Sequence, residues 1–112
     1  VARQWLQASI KAKPLAGAYF ALGQVDVDLN RAPEALQSFT RATELGTADE
    51  KAGKQVPWLT EAWFRVGRAH RDLNDDCGAK HACQTFMARQ PRAGGERDEA
   101  THYLETTARG CP

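Results

Sequence analysis

Residues 16–46 read AGAYFALGQVDVDLNRAPEALQSFTRATELG, and residues 60–90 read TEAWFRVGRAHRDLNDDCGAKHACQTFMARQ. Set over one another without a gap, the two stretches agree in their apolar skeleton. Tyr19 falls on Trp63, Phe20 on Phe64, Leu22 on Val66, Gly23 on Gly67 and Leu29-Asn30 on Leu73-Asn74. Further along, Ala35 falls on Ala79, Phe39 on Cys83 and Ala42 on Phe86. An internal repeat of this kind takes precedence over element-by-element reading, because each copy has to be one supersecondary unit.

Each copy divides in two. Tyr19, Leu22, Val25 or Asp26, and Leu29 recur at helical spacing, a single apolar stripe. Asn30-Arg31-Ala32-Pro33 breaks that helix, and Pro33 suits the first turn of the next one. In the second copy Asn74-Asp75-Asp76 makes the break, with Asp76 expected as N-cap. The second helices then carry Ala35, Leu36, Phe39, Ala42 and Leu45, and Ala79, Ala82, Cys83, Phe86 and Met87. Gly23 and Gly67 interrupt helices at a cost of about 1 kcal/mol each, which implies close approach of two helix backbones there. Across the 112 residues there are nineteen Ala and nine Leu against five Val and one Ile. That usage favours helix over strand, and no segment alternates with period two. The expected fold class is all-α.

At these positions the chain resembles the tetratricopeptide repeat (TPR) family. Tyr19-x2-Leu22-Gly23 and Trp63-x2-Val66-Gly67 match the first helix of its 34-residue unit, and Ala35-x3-Phe39-x2-Ala42 matches the second. Ala79-x3-Cys83-x2-Phe86 matches more loosely, and Pro57 and Pro91 each precede the next expected unit by three residues. Asp26 and His70 stand where the family pattern has Tyr. The resemblance covers residues 16–91 and implies helix-turn-helix units stacked in a short right-handed α-solenoid. The implied organisation is a single domain over 1–112: a leading helix at 1–13, repeat one at 16–46, an inserted loop at 47–57, repeat two at 58–91 and a capping helix at 95–110. The copies start 44 residues apart instead of 34; the extra polar segment, with Gly46 and Gly53, reads as a solvated loop or a short helical extension.

The resemblance also implies a function: the first helices of TPR units line a concave groove that holds a partner peptide or protein. The matched frame puts Gly17, Phe20, Gln24, Val27 and Asp28 in that groove from one copy, and Glu61, Phe64, Arg68, Arg71 and Asp72 from the other. Phe20 and Phe64 are expected as apolar anchors, and Arg68 and Arg71 as the groups that receive an acidic group. The family's clamp for chaperone carboxylates is not reproduced, since Phe20 and Gln24 stand where Lys and Asn belong. The alternative is a structural spacer or oligomerisation domain that buries Phe20 and Phe64 against a second copy, giving a homodimer.

Composition narrows the partners. Fifteen Lys and Arg against fourteen Asp and Glu leave a formal charge of +1, too little field for nucleic acid even though Arg65, Arg68 and Arg71 share a helix. The longest apolar runs are a few residues, so no membrane insertion is expected. The first residues, Val1 to Trp5, have no signal-peptide pattern and read as a mature or excised piece of a longer protein. Ala- and Arg-rich, Lys-poor usage suggests a GC-rich bacterial source.

No catalytic constellation is present: no G-x-S-x-G, H-E-x-x-H or phosphate-binding Gly loop. Neither an enzyme nor a cofactor is expected. Cys77, His81, Cys83 and Cys111, with His70 and His102, could supply metal ligands, but Cys77-x5-Cys83 lacks the tight pairing of structural zinc sites. Cys83 occupies the core position held by Phe39 in the first copy. Folding the last two helices into an antiparallel hairpin about residues 92–93 sets Cys77 beside Cys111 and leaves Cys83 deeper. A Cys77–Cys111 disulfide follows, and with it an extracytoplasmic, periplasmic or envelope-associated location over the cytoplasm.

Overall fold

The computed structural model describes residues 2–107 and Cys111. Among these the chain is all-helical: α1 (Ala2–Ala12), α2 (Ala16–Asp28), α3 (Ala32–Lys51), α4 (Leu59–Asp72), α5 (Asp76–Ala88) and α6 (Gly95–Thr106). Each helix packs on the next in order, forming sequential antiparallel pairs. None is long and apolar enough to cross a membrane. The expected capping helix at 95–110 is seen to Thr106; its positions 108–110 lie outside the described residues.

The two copies end their first helices alike. Asn30 and Asn74 both adopt left-handed backbone, with φ of 57° and 62°. Asn is the residue other than Gly that tolerates this region best. The amide of Arg31 donates to the Asp26 carbonyl at 2.8 Å and that of Asn30 to Val27 at 3.0 Å. In the second copy Asp75 donates to His70 at 2.8 Å and Asn74 to Arg71 at 3.0 Å. This is the Schellman pattern, which satisfies carbonyls the helix end would otherwise orphan. The next helix begins two residues later in both copies. The N-cap of α5 is Asp75, not Asp76: its carboxylate accepts from the Gly78 amide at 3.0 Å.

Of the two readings of the inserted segment at 47–57, solvated loop or helical extension, the structure takes the helical extension as far as Lys51. Helix α3 continues through Lys51, and only the stretch after it is irregular. Ala48, Glu50 and Lys51 are good helix formers, and the added turn has a use. Arg89, at the end of α5, makes a two-pronged ion pair to Glu50 at 2.7 and 3.1 Å and donates to the Thr60 hydroxyl at 2.9 Å. That pairing holds the Glu50 carboxyl below its ordinary range.

The glycines prove to be seats for side chains. A Cβ on Gly23 would stand 2.6 Å from the Phe39 ring, and one on Gly67 would stand 3.1 Å from Cys83 Sγ. Large and small partners therefore occupy equivalent sites in the two copies. Phe39, Ala35, Val66 and Ala82 form one buried cluster; Phe64, Ala79, Cys83, Phe86, Ala100 and Tyr103 form the other. Burial pushes the Cys83 thiol up from its ordinary pKa, so iodoacetamide is expected to label Cys83 only after unfolding.

Cys77 and Cys111 are joined in a disulfide, with Cα atoms 5.3 Å apart. Lys80 Nζ donates to the Cys111 carbonyl beside it. The bridge spans 34 residues, so Cys77→Ser is expected to cost about 2–4 kcal/mol in denaturant titrations. A wild type that unfolds at the same urea concentration with and without reductant would contradict this.

Candidate functional site

Two aromatic residues expected in the groove are not free. Phe64 is buried, 2% exposed, its ring 5.3 Å from Phe86. The reason lies in α6: Ala100 and Tyr103 complete the cluster around Phe64, so the face that looked open in one helix is the inner face of a three-helix core. Phe20 is half-buried, stacked on Trp58 at 5.1 Å and tilted against Phe39 at 5.7 Å. Neither Phe residue presents an open anchor.

The basic pair is engaged as well. Arg68 and Arg71 reach the two oxygens of Glu99 on α6 at 2.9 and 3.1 Å. Arg68 lies over the Phe64 ring at 5.2 Å and Arg71 over Tyr103 at 4.6 Å. The carboxylate that these residues were expected to receive is thus supplied by the chain itself. Glu61 and Glu96 belong to the same strip of charge. Partial burial, with Glu61 adding to it, raises the Glu96 carboxyl above its ordinary value, while Arg65 and Arg68 oppose the shift.

Tyr103 anchors this end. Its hydroxyl donates toward Asp76, 3.2 Å from Oδ1 and 3.3 Å from the carbonyl. Burial, followed by the Asp76 bond, pushes the phenol up to about 12. The native state therefore favours the protonated phenol. Its contribution is intact below the ordinary pKa near 10 and is lost as pH rises from there to about 12. Native stability falls over that window. In urea titrations Tyr103→Phe is expected to show a flatter decline between those pH values; an unchanged slope would contradict the assignment.

The structure does bring part of the expected set together. Helices α2 and α4 are not a closely packed pair, and a cleft of about 330 Å³ lies between them, closed below by the start of α3. Val27 lines it, 40% exposed, with Ala32 and the buried Ala35, Phe39 and Ala69. Asn30, Arg31, Arg65, Arg68 and Asp72 supply its polar groups. An adjoining hollow adds Gln24 and Asp28, sharing Val27, Phe39 and Arg65. Five of the ten residues expected in the groove, Gln24, Val27, Asp28, Arg68 and Asp72, thus line two adjoining hollows that share Val27, Phe39 and Arg65. Leu29 and Leu73, 52% and 38% exposed, each neighbour a lining residue in sequence.

Sequence reasoning missed Arg31 and Arg65. Arg65 Nε is buried and has no hydrogen-bond partner; its terminal nitrogen is 3.7 Å from Glu61. A buried donor left unpaired costs about 1–3 kcal/mol. Arg31 is exposed and makes no ion pair among the described residues. The frame that located Arg68 also passes through Arg65 one turn earlier, but nothing in sequence distinguishes a paired arginine from an unpaired one.

Among the described residues, no group of three or more His, Cys, Asp or Glu is placed to hold a metal ion. Fold and cleft define a class: an all-α domain of sequential helix pairs with an open depression between alternate helices. No protein-family model matches the chain, and no curated protein matches it.

Proposed function

We propose that this chain is a TPR-like scaffold that holds a partner peptide or protein against the depression between α2 and α4, without enzymatic activity. The observation that carries the reading is the convergence of Gln24, Val27, Asp28, Arg68 and Asp72 on the two adjoining hollows. The two matching helix pairs, with the same glycine seats and the same Asn-terminated first helices, support the family reading. In a short stack of such units the ends need covering. Here α6 seals one of them, and α1 offers Trp5, 72% exposed, at the other. The Cys77–Cys111 bridge favours an oxidising, extracytoplasmic setting.

The spacer alternative relied on Phe20 and Phe64 meeting a second copy, and burial of Phe64 within its own chain removes half of that contact. Selection from a displayed peptide library separates the two readings. The scaffold reading expects enriched peptides that bind wild type and fail to bind Val27→Glu. A library that enriches nothing, together with a concentration-dependent dimer in native mass spectrometry, would favour the spacer.

A further inference from the structure

From the outer face of α1 we infer a second contact surface, separate from the α2/α4 depression. It takes an amphipathic helix of a partner protein, apolar along its centre and acidic at its flanks. The two end helices of the stack differ, although each has a single close-packed neighbour in the series. Helix α6 exposes Arg97, Asp98, His102 and Glu105, the polar face expected of a helix that closes a stack. Helix α1 exposes Trp5, Ala8 and Ala12, which fall on one stripe at helical spacing. Trp5 is 72% exposed, and Leu15, just past the end of α1, is 53% exposed.

The inward side of α1 is already fixed. Arg3 reaches the buried Asp26, and no residue of the helix is fully buried. The apolar stripe on the opposite side therefore adds nothing to this chain's core. Shape and charge choose what covers it. One large aromatic beside two alanines lets a second helix approach closely, ridge into groove. Residues 1–25 contain Arg3, Lys11 and Lys13 and no Asp or Glu; all fourteen acidic residues come later. Lys11 and Lys13 are exposed and make no ion pair among the described residues. A second copy laid α1 against α1 would set like charges together, which disfavours that pairing. Acidic flanks complement them.

The test is fluorescence anisotropy on the full chain with three labelled helical peptides of about 18 residues. They share one Leu and Ala stripe and carry Glu, Gln or Lys at the flanks. The Glu peptide is expected to bind roughly tenfold tighter than the Gln peptide, and less tightly as salt rises. Trp5→Ala, at an exposed position, is expected to weaken that binding roughly tenfold or more, with circular dichroism unchanged. Lys11→Glu combined with Lys13→Glu is expected to reverse the order in favour of the Lys peptide. Val27→Glu is expected to leave Glu-peptide binding intact. Loss of binding in Val27→Glu but not in Trp5→Ala overturns the inference and leaves the depression as the partner site. Equal binding of the Glu and Gln peptides, or no binding by any of the three, also overturns it. So does a concentration-dependent dimer, or co-sedimentation with phosphatidylglycerol vesicles, that Trp5→Ala abolishes, since a second copy or a lipid surface would then cover the stripe.

Discussion

Replacing Arg3 with alanine is expected to cost about 3–5 kcal/mol, the range for removing one partner of a buried ion pair. Asp26 is fully buried, and Arg3 Nε donates to its Oδ1 at 2.6 Å. The other contact, from the Ser38 hydroxyl, is a long 3.4 Å. Without Arg3 the carboxylate has almost nothing to offset its lost hydration. Helix α1 has no fully buried residue and is held by a half-buried stripe of Arg3, Leu6, Ser9 and Ile10. The effect should therefore show first as faster amide exchange across Ala2–Ala12. The double variant Arg3→Ala with Asp26→Leu is expected to recover most of the loss, since the penalty comes from the stranded charge and not from the missing arginine. Equal destabilisation in single and double variants would contradict this account.

The second large effect is at the glycine seats. Phe39→Ala is expected to cost about 3–5 kcal/mol through lost burial and the cavity it leaves. Gly23→Ala drives a methyl to 2.6 Å from a ring that is itself 0% exposed and cannot retreat; the expected cost is about 1–3 kcal/mol. In the Phe39→Ala background the same change should be neutral or stabilising. The clash is gone there, and alanine gains about 1 kcal/mol of helix propensity over glycine. Gly67→Ala meets one tight contact, Cys83 Sγ at 3.1 Å, with Ala82 Cβ and the Ala79 carbonyl at ordinary distances of 3.5 and 3.6 Å, so propensity and crowding roughly cancel. Equal penalties at Gly23 and Gly67 would show that the ring is not what the glycine accommodates.

These predictions also mark how far the residues could be read in advance. The all-helical class, the helix pairs and their common frame were legible because period, glycine and Asn recur at one offset. The Cys77–Cys111 pairing was legible because a short turn between α5 and α6 leaves one antiparallel register. Asp26 was not. In sequence it is a polar residue at a position expected to pack, and its partner lies 23 residues earlier on a helix whose docking angle no local pattern encodes. Phe64 was misjudged because its exposure depends on α6, which adds Ala100 and Tyr103 to the same cluster. Glu99 escaped notice for the same reason: its pairing with Arg68 and Arg71 is a property of two helices meeting. The polar run after Leu45 could be read as a loop or as a helical extension from its Gly and charge content; its helix formers and the Glu50–Arg89 pair carry α3 onward to Lys51.

The proposed scaffold holds its partner in the depression between α2 and α4. Chemical-shift mapping of the isotope-labelled chain, titrated with a peptide enriched by the library selection, is the decisive test. The expected result is movement of the amide signals of Gln24, Val27, Asp28 and Arg68, with α1 and the outer face of α6 unmoved. Shifts confined to α1 around Trp5, with those four signals unchanged, would place the contact on the other end of the stack and contradict the claim.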